Sequence, residues 1–93
     1  MPAVRRDLAC VFPEEVSVGA ILEAVRRGVP PWVREFEVFD QYRGKGVDAG
    51  RKSLAFRIVM QDTDRTLTDS EVEEVVSAIR DQLIEEFKAQ PRT

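Results

Sequence analysis

Residues 52–61, KSLAFRIVMQ, alternate without a break: Leu54, Phe56, Ile58 and Met60 share one side, and Ser53, Ala55, Arg57, Val59 and Gln61 share the other. A two-residue period is that of a β-strand with one face in a core and the other facing outward. Such a strand needs partners, and the chain offers two. Residues 4–12, VRRDLACVF, set Leu8, Cys10 and Phe12 against Asp7, Ala9 and Val11. Residues 33–42, VREFEVFDQY, read as a strand with an irregularity, because Phe36, Val38, Asp40 and Tyr42 have one parity and Phe39 the other. A β-bulge there would give both Val38 and Phe39 cover. Residues 43–51 then form a long hairpin loop holding three of the five glycines.

Elsewhere the period lengthens to that of a helix. Val18, Ile21, Leu22 and Val25 fall at i, i+3, i+4 and i+7, with Ser17 as N-cap and Gly28 as the stop. Pro30-Pro31 forces an extended connection. Thr68-Asp69-Ser70-Glu71 is a capping box, and its helix should bury Val72, Val75, Val76, Ile79, Leu83 and Phe87. The tail from Ala89 leaves room for a short fourth strand, which Pro91 confines to a sheet edge. The order is β-α-β-β-α-(β). Right-handed crossovers turn it into an α+β, ferredoxin-like sandwich, an antiparallel sheet with both helices on one face. Ninety-three residues make one domain, 1–93, with a small core. Ala9, Asp40, Tyr42, Ser53 and Arg57 should lie on the open sheet face.

The formal net charge of −3 argues weakly against nucleic acid, but its distribution does not. Between Thr68 and Lys88 seven acids stand against two bases, a local balance of −5, whereas residues 1–67 hold eleven bases and ten acids. One helix carries the acidity and leaves the rest free to present a basic face. Electrostatic attraction acts within about a Debye length, roughly 8–10 Å, so the local face matters more than the sum. Around the hairpin, Arg43, Lys45, Arg51 and Lys52 face a single acid, Asp48, beside Asp40, Tyr42 and Ser53. That grouping points to a phosphate-rich partner. No apolar run is long enough to span a membrane, and the N-terminus has no apolar signal region. With one cysteine, the reading is a reducing, cytoplasmic setting and a buried, inert Cys10.

The chain has no histidine, which removes the commonest general base and metal ligand, and no catalytic or metal-binding residue is assigned. Arg43-Gly44-Lys45-Gly46 lacks the spacing of a phosphate-binding P-loop. Lys52–Ile58 faintly echoes an RRM element, but Phe56 has core parity where that element needs outward aromatics. An acylphosphatase-like hydrolase needs an Asn to orient water, and this chain has none. A ferredoxin-like small-molecule regulatory or dimerisation domain is the alternative function, although Asp, Tyr, Ser and Arg make a polar face for sheet pairing. Tyr42 beside Asp40 is more pointed. A nucleobase can stack on the phenol, worth roughly 1–3 kcal/mol, and the carboxylate can accept from a guanine edge. From these residues alone, a strand-end tyrosine with a solvated aspartate fits as well.

Four ordered motifs carry a resemblance: PAVRRDLA (Pro2–Ala9), FDQYRGKGV (Phe39–Val47), GRKSLAFRI (Gly50–Ile58) and DRTLTDSEVE (Asp64–Glu73). From Pro2 to Phe87 the chain resembles the C-terminal anticodon-binding domain of bacterial phenylalanyl-tRNA synthetase β subunits, the ferredoxin-fold anticodon-binding family. The resemblance implies that the open face receives the anticodon stem-loop of tRNA(Phe), with the wobble guanine against the strands. Ala9, after the RDL of the first strand, would pack on that base. Asp40 and Tyr42, the acid and aromatic of FDxY, would hydrogen-bond and stack on it, and Ser53 would add a hydrogen bond. Arg5, Arg6, Arg43, Lys45, Arg51, Lys52 and Arg57 would serve the phosphates.

The implied partners are a catalytic α subunit and the remainder of the β subunit in an α2β2 enzyme that uses ATP and magnesium. The domain itself would need no cofactor, touch no membrane and be inert alone. Two departures stand out. The chain ends Lys88-Ala-Gln-Pro-Arg-Thr where the family has a final strand ending near Leu-Arg, and Gln41 replaces a usually aliphatic residue. Met1 directly precedes the first motif, and a full β subunit is several times longer, so the chain reads as an excised domain or a free-standing product.

Overall fold

A computed structural model of the chain describes residues 2–92. Its elements follow the periodicities: β1 (Val4–Pro13), α1 (Val18–Gly28), β2 (Val33–Tyr42), β3 (Arg51–Met60), α2 (Asp69–Phe87) and β4 (Gln90–Pro91). The strands form one sheet in the order β2-β3-β1-β4, with β3 antiparallel to both β1 and β2. β1 and β3 pair continuously from Val4 opposite Met60 to Pro13 opposite Arg51. This unbroken register follows from the clean alternation in both strands, because a one-residue slip would turn every apolar side chain outward.

Both helices pack on the sheet face that holds Leu8, Cys10, Phe12, Leu54, Phe56, Ile58 and Met60. They contribute Ile21 and Val25 from α1 and Val72, Val75, Val76, Ile79 and Leu83 from α2. Phe87 is half-buried at the margin of this cluster. The Phe36 and Phe56 rings stack at 5.0 Å, and Phe12 meets Phe56 edge-on at 5.9 Å. Burial of each such ring stabilises the fold by about 1.5–3 kcal/mol. Cys10 lies inside this cluster, and burial pushes its thiol pKa up against a smaller opposing pull from Arg80. No helix among the described residues is long and apolar enough to cross a membrane.

The caps fix where the helices begin. Ser17 accepts from the Ala20 backbone N–H at 3.0 Å, and Thr68 and Glu71 close the expected capping box. Gly28 is the last residue of α1 rather than the residue beyond it, and Val29 is already extended ahead of Pro30-Pro31. Lys88 ends α2 in the left-handed region, at φ 59°. The chain reverses there, buries Ala89, and places the two residues of β4 against Cys10 and Val11 of β1. The fourth strand is therefore present, short, and on an edge.

Candidate nucleic-acid interface

Directly paired residues of neighbouring strands point to the same side of a sheet. The register therefore defines transverse rows on the face away from the helices. Tyr42, Ser53 and Val11 form one row, and Asp40, Ala55 and Ala9 form the next. Two methyl groups in the second row leave a shallow floor that spans two inter-strand spacings, roughly 10 Å. A flat ring can lie there with Tyr42 and Asp40 at its rim. Ala9, Asp40, Tyr42 and Ser53 are thus brought together on one face.

A β-bulge makes this possible. β2 shifts register between Val38 and Asp40, so Phe36 and Val38 face the core while Asp40 and Tyr42 face outward. The expected irregularity is present, but it does not cover Phe39. That ring is 46% exposed and lies beneath the Arg57 guanidinium, whose carbon is 4.6 Å from the ring centroid. A second register shift, between Val33 and Glu35, has no counterpart in the sequence reading.

The hairpin holds Tyr42 in place. The phenol donates to the Lys45 carbonyl at 2.8 Å. Gly44, at φ +129°, sits so close that an added Cβ would lie 3.4 Å from the phenol oxygen. Glycine adopts that backbone region without strain. Arg43 ties the hairpin to the turn after β1, donating from Nε to Glu14 at 2.6 Å. The Gln41 side-chain oxygen, oriented by its hydrogen bonds, accepts from Arg43 Nη1 at 2.6 Å and Nη2 at 2.8 Å. A polar Gln41 is accommodated because β2 is an edge strand and the residue is exposed there.

The cations divide. Arg5, Arg51 and Arg57 have open-face register, and Lys45 is exposed on the hairpin. Arg6 and Lys52 do not join them. Arg6 pairs with Ile58 on the helix side and reaches toward Glu73 of α2 at 3.9 Å. Lys52 pairs with Phe12, also on the core side, and is only 6% exposed. Arg43 is held by Glu14 and Gln41. None of these three stands free on the open face: strand parity sets Arg6 and Lys52 on the helix side, and local partners hold Arg43.

The sequence reading missed Arg92. After β4, its backbone N–H donates to the Ala9 carbonyl at 3.0 Å. Its Nη1 donates to Ser53 Oγ at 2.9 Å, and its guanidinium carbon lies 5.4 Å from the Tyr42 centroid. Ser53 is consequently 4% exposed although it faces outward. A lone arginine after a proline carries no local signal of this placement, which depends on the chain reversal at Lys88. The acidic residues of α2 lie on the opposite side of the sheet, so their charge does not crowd the face.

This geometry defines a class: the ferredoxin-like α+β sandwich with one sheet face uncovered by helices. Within that class the chain belongs to the ferredoxin-fold anticodon binding domain family, which it matches over residues 1–92. It is 55% identical over 80 residues to the phenylalanine–tRNA ligase beta subunit of Thiobacillus denitrificans, an alignment covering 86% of this chain and 10% of that protein. It is 44% identical over 92 residues to the subunit of the same name from Nitrosospira multiformis, covering 99% of this chain and 12% of that one. The subunit from Xanthomonas euvesicatoria is 46% identical over 92 residues, with the same coverage of 99% and 12%. The chain spans about a tenth of the length of the curated relatives it matches.

Proposed function

We propose that this chain is the anticodon-reading module of a phenylalanine–tRNA ligase β subunit, and that its open sheet face receives the unpaired anticodon bases of tRNA(Phe). The observation that carries this reading is the shared face of Asp40 and Tyr42 over the Ala9–Ala55 floor, in a chain of this family. The wobble guanine stacks on Tyr42 and lies on the alanine methyls. Its N1–H and N2 amine donate to the Asp40 carboxylate. Adenine would instead present a lone pair at N1 to that carboxylate and leave it unpaired, a loss of about 1–3 kcal/mol. Ser53 offers one further hydrogen bond once Arg92 is displaced from its hydroxyl.

Arg5, Lys45, Arg51 and the released Arg92 meet the phosphates. Each phosphate neutralised adds about 0.7 to the slope of log K against log salt for a single strand. The module supplies binding energy and specificity and no reacting group. Phenylalanine activation with ATP and magnesium falls to the remainder of the enzyme, with an α subunit and the rest of the β subunit as partners in an α2β2 assembly. The setting is the cytoplasm, where tRNA is charged. No observation favours a small-molecule regulatory role.

Chemical-shift mapping with an anticodon stem-loop tests this directly. The amides of Ala9, Asp40, Tyr42, Ser53 and Ala55 should move, and those on the exposed face of α2 should not. Shifts confined to the helices would overturn the reading.

A further inference from the structure

The open face carries a second aromatic side chain beyond Tyr42. Phe39 is the most exposed large apolar residue among those described, at 46%. The bulge presents it outward beneath Arg57. In the register, Arg57 sits in a third transverse row, between Glu37 of β2 and Asp7 of β1. Acidic residues thus stand on both sides of Arg57 in the register, yet neither forms an ion pair with it. Glu37 is paired with Arg26 at 2.6 Å, and Asp7 forms no ion pair among the described residues. Arg57 Nε is buried without a hydrogen-bond partner, an uncommon state for a donor. The guanidinium is thus held against a ring face rather than by an acid, and an unpaired acceptor stands beside it.

We infer that Phe39 and Arg57 form a second base-stacking station on the open face, which takes an unpaired nucleotide adjacent to the one held by Tyr42 and Asp40. This rests on the reading of the face as an RNA surface. Arg57 lies two residues beyond Ala55 along β3, about 7 Å, so the two stations are one step apart along the sheet. Aromatic rings and guanidinium planes are the surfaces on which proteins hold splayed single-stranded bases. Asp7 is placed to accept from an amino or imino group at the base edge. The platform is continuous with the first station. The rival occupant is another part of a longer subunit, covering Phe39 as an apolar contact.

The test measures affinity of the chain for an anticodon stem-loop. Phe39→Ala and Arg57→Lys should each weaken binding about tenfold, and Phe39→Tyr should leave it unchanged. Replacing one of the two nucleotides that flank the wobble base with an abasic residue should erase the Phe39→Ala effect. Amide spectra of each variant confirm the fold, and Phe39→Leu, which keeps bulk without a π-face, should behave like Phe39→Ala. Wild-type affinity for Arg57→Lys would reduce Arg57 to a charge contact and overturn the station. A Phe39→Ala effect that persists with every abasic position would assign the ring to protein contacts and do the same. If Tyr42→Ala weakens binding while Phe39→Ala does not, the second station alone falls. If neither matters, the RNA reading of the face falls with it.

Discussion

Val38 and Asp40, two residues apart in β2, face opposite sides of the sheet. Val38 pairs with Phe56 and Asp40 with Ala55, so β2 uses one residue more than β3 over this interval. A regular strand would carry Asp40 and Tyr42 onto the side of Phe36, beneath the helices. The bulge at Phe39 instead delivers an apolar segment to the core and a polar, aromatic segment to the open face. Bulges commonly re-aim side chains beside functional sites in this way.

Deletion of Phe39 tests that role. The deletion removes the extra residue and leaves Val38 opposite Phe56 and Asp40 opposite Ala55 in regular alternation, so Asp40 and Tyr42 keep the open face. The variant should fold with near-native stability and lose only what the Phe39 ring adds to stem-loop binding, about tenfold. Urea denaturation and a binding titration measure the two effects. A deletion variant that unfolds, or that loses binding altogether, would show that the bulged geometry itself is required and not only the faces it sets.

Phe56 separates a core reading of β3 from an RRM-like one. Its ring packs against both Phe12 and Phe36. Phe56→Ala should cost about 3–5 kcal/mol in denaturant unfolding. An RNA-facing aromatic at this position would behave oppositely, with stability kept and affinity lost.

Glu71 predicts a pH dependence. Hydrogen bonds from Arg65 and from the Thr68 backbone hold its carboxyl well below the usual value of 4.5, at about 2. A lowered folded-state pKa means that the unfolded chain binds the proton more readily. The stabilisation is therefore complete above about pH 4.5 and is lost as pH falls toward 2. The difference in urea midpoint between wild type and Glu71→Gln should shrink over that window. A constant difference down to pH 2 would remove Glu71 from acid sensitivity. Thr68→Ala, which breaks the other half of the capping box, should cost about 1 kcal/mol at neutral pH.

Arg92 covers Ser53 and stands over the Tyr42 ring, so its removal both uncovers the site and subtracts a cation. The loss of the cation should dominate. Arg92→Ala should weaken stem-loop binding and reduce the slope of log K against log salt by about 0.7. Tighter binding with an unchanged slope would identify Arg92 as a plug.

Much of this was legible in the residues. Alternation in 52–61 fixes which side of β3 is buried, and the Thr68–Glu71 box marks the start of α2 to the residue. The same alternation, applied to Arg6 beside Leu8 and to Lys52 beside Leu54, would have set both cations on the helix side, where the structure has them. Their grouping with the phosphate contacts came from charge and resemblance instead. Arg43 was illegible for another reason, since its partner Glu14 lies 29 residues away. Arg92 depends on a left-handed turn at Lys88 and a two-residue strand, neither of which leaves a periodic trace. The bulge was readable as an irregularity, but the exposure of Phe39 and its contact with Arg57 follow from how the strands lie together, not from sequence order.

The most direct test crosses two changes at one contact. Affinities of wild type and Asp40→Ala are measured for stem-loops with guanine or adenine at the wobble position. Asp40→Ala should cost about 1–3 kcal/mol against guanine and almost nothing against adenine. An equal loss with both bases would mean that the carboxylate at position 40 does not read the guanine edge.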